Sequence, residues 1–197
     1  MSKRRATFGI LLIVMLSVPA PVLAGQALLA IETRVNKVLE VLGDPALKGE
    51  SYKGTKEKKV RLIVDEIFDY AELSKRALSF HWESFTPEQQ KEFTHLFGRL
   101  LGGAYMDRIL AYTNEKVAFG KEIRLSENRT EVESEIVTPT KSIPIHYRMI
   151  HQKGQWKVYD VVIEGVSLVQ NYRSQFRGIL AKETPEGLLK TLRARTA

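Results

Sequence analysis

Apolar residues recur along this chain with two periods, and the change of period divides it. Over residues 27–42, Leu28, Ile31, Val35, Val38 and Leu42 mark one helical face, which Gly43-Asp44-Pro45 ends. The Lys- and Gly-rich stretch 48–59 reads as a polar loop. A second helix is predicted over 56–67, with Val60, Ile63, Val64 and Ile67 inward. Asp69 and Glu72 have N-cap spacing and predict a helix over 70–78, after which Trp82 plugs the space between helices. Thr86-Pro87-Glu88-Gln89 combines an N-cap, a first-turn proline and a capping-box partner. The helix it opens carries Phe93, Leu96, Phe97, Leu100, Leu101, Ala104, Tyr105 and Ile109 along one broad stripe. Within it Gly102-Gly103 costs roughly 1 kcal/mol per Gly relative to Ala, which predicts a bend or a close approach.

From Lys116 the period becomes two. Strands are predicted at 115–124, 129–138, 143–152 and 155–164, with Glu127-Asn128, Pro139 and Lys153-Gly154 in the connections. Connections this short make an antiparallel meander of four strands. Ile143, Ile145, Tyr147 and Met149 share one face, and Pro144, His146 and Arg148 the other. Val132, Ser134 and Ile136 alternate likewise with Glu131, Glu133 and Glu135, so one face is apolar and the other wet. Gly165 breaks the last strand, and Ser167 with Gln170 has the spacing to start a helix with Val169, Tyr172 and Phe176 on its apolar face. Thr184-Pro185-Glu186 opens a final helix through Leu188, Leu189 and Leu192. Helices, then a sheet, then helices make an α+β domain.

The first residues change the picture of where the chain works. Lys3, Arg4 and Arg5 precede an apolar run from Phe8 to Val18, and Val22-Leu23-Ala24 suits a signal peptidase. Residues 1–24 thus read as a cleaved secretory signal peptide and 25–197 as one domain. Cleavage removes three positive charges, lowering the formal net charge from +7 to +4. A modest positive balance outside the cytoplasm fits anionic membrane surfaces or acidic patches and does not point to nucleic acid. The chain has no Cys, so lipoprotein attachment, disulfides and thiolate chemistry are excluded.

Catalytic chemistry finds little support. His146 and His151 fall on opposite faces of one strand, His81 and His95 on separate helical segments, and no HxxxH or HExxH pattern occurs. No GxSxG elbow or phosphate loop is present. Asp160 and Glu164 interrupt an apolar strand, and Asp160 reads as a structural acid with Arg148 as its available partner. No catalytic residue, metal or cofactor is expected. The apolar stripes fit either a filled core or the lining of a cavity, and periodicity does not separate these.

Three stretches carry a family resemblance. VYDVVIEGVSLVQNYRSQF at 158–176 resembles the hallmark of the periplasmic lipid-shuttle family known as MlaC or toluene-tolerance Ttg2D proteins. FDYAELSKRALSFHW at 68–82, with TPEQQKEF at 86–93, and IPIHYR at 143–148 resemble the same family in order and spacing. The resemblance implies helices on one curved four-stranded antiparallel sheet, an NTF2-like cone enclosing an apolar cavity for phospholipid tails. On that basis Phe97, Leu101, Tyr105, Val132, Ile136, Ile145, Tyr147, Met149, Val158, Val162, Val169, Tyr172 and Phe176 are the expected lipid-binding residues. It further implies a monomeric carrier of phospholipid between inner and outer membranes, maintaining outer-membrane asymmetry and solvent tolerance. The implied partners are an inner-membrane ABC transporter with an MCE-domain ring and an outer-membrane lipoprotein–porin complex. A hopanoid-like cargo, or a small periplasmic α+β enzyme, is the alternative.

Overall fold

The computed structural model describes residues 25–112 and 115–197; the expected signal peptide lies outside the described residues. Four helices come first: α1 (Gln26–Gly43), α2 (Lys53–Ile67), α3 (Tyr70–Leu78) and α4 (Pro87–Leu110). Five strands follow: β1 (Lys116–Ser126), β2 (Arg129–Val137), β3 (Ser142–Gln152), β4 (Gln155–Ile163) and β5 (Val166–Ser167). Helices α5 (Leu168–Leu180) and α6 (Pro185–Thr196) complete the chain.

Local chemistry explains the helix starts. At α4 both halves of the capping box form: Gln89 N–H donates to Thr86 Oγ1 at 3.3 Å, and Thr86 N–H to Gln89 Oε1 at 3.1 Å. Asp69 accepts from Glu72 N–H at 2.9 Å, while the Glu72 carboxylate turns forward to pair with Arg76. Helix α2 begins at Lys53, earlier than its apolar period suggests. Its first turn takes the residues read as loop, because Lys53 pairs with Asp107 at 3.1 Å and Lys56 donates to the Leu42 carbonyl at 3.3 Å. Helix α1 has no local side-chain cap; Glu122 of β1 accepts from Leu28 N–H at 3.1 Å instead.

The sheet runs β1-β2-β3-β4-β5, every neighbouring pair antiparallel. It has five strands where the sequence predicts four. Glu164 and Gly165 both have positive φ, 49° and 81°, so the chain reverses in a two-residue turn and Val166-Ser167 pairs back onto Val162 and Ile163. Gly165 therefore bends the chain into one more short strand before α5 begins. Lys153-Gly154, with φ of 50° and 76°, makes the β3–β4 turn in the same way.

The register between β3 and β4 shifts at Arg148/Met149: Arg148 pairs with Asp160 and Met149 with Val158, leaving Tyr159 extra. One inserted residue inverts the alternation. Trp156, Val158 and Val161 consequently enter the core, while Asp160 and Val162 point to the opposite, wet face alongside Arg148 and His146. A second irregularity in β1, between Phe119 and Glu122, turns Glu122 inward toward α1.

On the wet face Asp160 is 2% exposed and accepts three bonds. Ser167 Oγ donates to Oδ2 at 2.6 Å, Arg148 Nη1 to Oδ2 at 3.2 Å, and Val169 N–H to Oδ1 at 3.0 Å. The structural reading of this acid holds. Ser167 simultaneously caps α5 by accepting from Gln170 N–H at 3.1 Å. Asp160→Ala leaves these donors without their acceptor and should lower unfolding stability by about 3 kcal/mol in urea titration. Glu164→Asn, on an exposed turn, should stay within about 0.5 kcal/mol of wild type.

Candidate functional site: the layer interface and its cationic margins

The helical layer meets the apolar face of the sheet through one large cluster of buried side chains. Its helix side is aromatic. Phe97 of α4 sits 5.0 Å from Tyr172 and 5.1 Å from Phe176 of α5, ring centre to ring centre, with both pairs edge-on. Phe93 meets Phe176 at 5.3 Å and Phe85 at 5.8 Å. These positions coincide because α4 and α5 each repeat an aromatic one turn apart, 93/97 and 172/176, and the corner at Asp160 aims α5 at α4. The sheet side is aliphatic, with Val132, Met149 and Val158 fully buried.

Most of the expected lipid-binding residues converge here. Phe97, Leu101, Val132, Met149, Val158, Val169, Tyr172 and Phe176 belong to the cluster, and Tyr105, Ile145 and Tyr147 are half-buried against it. Ile136 lies half-buried near the strand end, outside the cluster. Val162 is corrected: it pairs with His146 and Ser167 on the wet face, and Val161 takes the inward position because of the extra residue at Tyr159. Trp82 packs against the same cluster, as expected of a plug.

Burial pushes the Tyr147 hydroxyl up to about 12, opposed by a hydrogen bond with Ser134. Burial also raises Tyr172, helped by nearby Tyr105 and countered by the positive charge of Arg195. Among the described residues no three His, Asp or Glu side chains cluster in a way that could hold a metal.

Two grooves flank this interface. The larger, about 690 Å³, lies where α4 meets α2 and the end of α6, lined by Arg61, Arg99, Leu100, Gly103, Ala104, Arg195, Thr196 and Ala197. The smaller, about 250 Å³, lies on the wet face over the Asp160 corner, with Arg76, Arg148, Arg173, Tyr159, Gln170 and Leu125 around it. Of the expected site residues, Val169 alone lines either one. Of the groove arginines, sequence reasoning singled out Arg148 alone, as the partner of Asp160. Arg61, Arg99 and Arg195 are far apart in the chain and share no pattern; the one local signal was Gly102-Gly103. Helix α4 runs unbroken through that pair, and a Cβ on Gly102 would come within 2.6 Å of Arg61 Nη1. Close approach, of the two expectations for the glycines, is what Gly102 provides.

Fold and grooves together define a small α+β binding domain, apolar between its layers and cationic at its margins. A family model described as MlaC protein matches residues 32–194. The chain belongs to that family. It is 26% identical over 136 residues to the intermembrane phospholipid transport system binding protein MlaC of Haemophilus influenzae, covering 65% of this chain and 64% of that protein. It is 25% identical over 142 residues to the toluene tolerance protein ttg2D of Pseudomonas putida, covering 70% of this chain and 66% of that one. The aligned stretches thus span just under two thirds of either relative. A phospholipid-binding protein from Ralstonia solanacearum, solved in complex with a phospholipid, superposes with a TM-score of 0.76 at 27% identity. That match covers 86% of this chain and 96% of the other.

Tyr147 offers a pH readout. An unfolded tyrosine ionises near 10, so with the folded group held up to about 12 the unfolded state loses its proton first. Stability should be intact below pH 10 and fall between pH 10 and 12, and Tyr147→Phe should flatten that slope in urea midpoints measured across the range.

Proposed function

We propose that this protein is a periplasmic carrier that holds a phospholipid by its acyl chains and moves it between the inner and outer membranes. Its membership of the MlaC family, over residues 32–194, carries the reading. The close fold match to a protein crystallised with a phospholipid supports it. Two acyl chains hold about 30 methylenes, each worth roughly 0.8 kcal/mol out of water, so a lipid crossing water alone faces a cost on the order of 20 kcal/mol. A carrier must offer the chains surroundings about as apolar as the bilayer. The cluster between helices and sheet is such a surface, with Val161 in place of Val162 among the residues proposed to face the tails.

In the structure these side chains pack on each other, with rings at 5.0–5.8 Å. Acyl chains entering the interface must displace those contacts, so loading involves separation of the helical layer from the sheet. Chemistry on the cargo has no part in this reading. The proposed partners are the inner-membrane ABC transporter with its MCE-domain ring and the outer-membrane lipoprotein–porin complex. The exposed Lys58 and Lys59 on α2 are candidates to guide docking by charge. Export through residues 1–24 places the protein in the periplasm.

Native mass spectrometry of the protein purified from periplasm, with lipid identification after organic extraction, tests the carrier reading. A stoichiometric adduct of phospholipid mass is expected. A bare protein mass that persists after incubation with phospholipid vesicles would refute it.

A further inference from the structure

The larger groove has features that a packed helix junction does not require. Arg61 from α2, Arg99 from α4 and Arg195 from α6 converge on it from three separate helices. Arg61 pairs with Glu57 at 3.2 Å, at a site where both side chains stay more than a third exposed. Arg99 donates to the Thr196 carbonyl, and no ion pair joins Arg99 or Arg195 to an acid among the described residues. The smaller groove differs: its Arg148 and Arg76 are matched by Asp160, Glu131 and Glu72. At the larger groove the three arginines face Glu57 and the carboxylate of Ala197, which leaves a net positive charge; at the smaller one Arg76, Arg148 and Arg173 face Glu72, Glu131 and Asp160, which leaves none.

Space is also kept open there. Gly102 lets the Arg61 guanidinium lie against the backbone of α4, and a Cβ on Gly103 would meet nothing within 4 Å. Both glycines sit mid-helix, where alanine would be favoured by roughly 1 kcal/mol. Beside the arginines, Leu100 and Ala104 give the groove an apolar stretch of lining. Leu100 lines it and packs on the core cluster, followed by Leu101 inside that cluster and Tyr105 half-buried against it. Arg195 is near enough to Tyr172 for its charge to be felt by the hydroxyl. Guanidinium groups beside an apolar lining suit a ligand with an oxyanion at one end and hydrocarbon at the other.

We propose that this groove, rimmed by Arg61, Arg99 and Arg195 over Gly102-Gly103, is a phosphate seat that holds the headgroup phosphate of the carried lipid while its chains pass by Leu100 and Tyr105 into the layer interface. The inference rests on the carrier reading and adds to it the site and chemistry of headgroup recognition. Arg195 and Arg99, which pair with no acidic side chain among the described residues, supply the net positive charge, and Arg61, laid on Gly102, supplies a third donor edge. Free inorganic phosphate presents the same oxyanion, so the test separates the two sources.

The test titrates the purified protein with dihexanoyl phosphatidylglycerol and with dihexanoylglycerol, which share their chains and differ by the phosphoglycerol headgroup. Wild type should bind the phosphate-bearing lipid at least about tenfold more tightly, the scale of one hydrogen bond to a charged group. Arg195→Ala should erase most of that preference, and Gly102→Ala, which displaces one guanidinium and removes none, should reduce it. Gly102→Ala is the safer probe of the fold, because alanine suits a helix and the new Cβ displaces only the flexible end of Arg61. Equal affinity for the two lipids in wild type would overturn the phosphate seat and leave the carrier reading standing. Binding of neither lipid, together with a bare mass after vesicle incubation, would overturn both. Saturation by inorganic phosphate that dihexanoyl phosphatidylglycerol fails to displace would assign the groove to free phosphate and overturn its headgroup role.

Discussion

The carboxylate of Asp160 ties β4 to the strand beside it and to the corner where β5 turns into α5. It fixes Arg148 on β3, the hydroxyl of Ser167 at the end of β5, and the first turn of α5 through Val169 N–H. A buried charge is tolerated here because each of its oxygens accepts a donor, one of them a guanidinium. The geometry of the corner then sets the direction of α5. That direction places Tyr172 and Phe176 against Phe93 and Phe97, and those rings seat α4 on the sheet. Helix α4 in turn carries Arg99 and the two glycines to the groove it shares with α2 and α6. One ionised group thus aligns a chain of contacts that runs from the wet face, through the core, to the opposite margin.

In the carrier role proposed here, the interface has to be cohesive when empty and separable when loaded. Aromatic edge contacts suit that requirement, since each is worth about 0.5–1.5 kcal/mol beyond its buried area and can be exchanged for contacts with hydrocarbon. No disulfide staples the layers, as the chain has no Cys. The corner holds the first turn of α5 to β4 through Val169 N–H, so a separation that keeps these bonds pivots α5 about its start.

Much of this architecture was legible in the sequence because it is encoded locally. Thr86 and Gln89 announce α4, and the alternation of Glu131, Glu133 and Glu135 with Val132 and Ser134 separates the faces of β2 directly. The pairing of Asp160 with Arg148 was legible for the same reason, since a charge in an apolar strand needs a partner on the adjacent strand. What escaped was set by backbone irregularity and by distance. One extra residue at Tyr159 exchanges the orientations of Val161 and Val162, and nothing in a run of valines marks where a strand bulges. The fifth strand is two residues long, too short for any period. The groove arginines come from positions 61, 99 and 195, and only the packing of three helices brings them together.

The edges of the sheet have a further consequence. One edge is the two-residue β5, which passes at once into α5. The other is β1, eleven residues long but interrupted at Phe119/Glu122 and again at Arg124/Ser126, with Lys116, Lys121 and Arg124 exposed along it. Neither edge offers a long, flat, uncharged row of backbone groups on which a second chain could lay a strand. The same distortions that redirect Glu122 toward α1 therefore make β1 a poor template for a strand from a second copy.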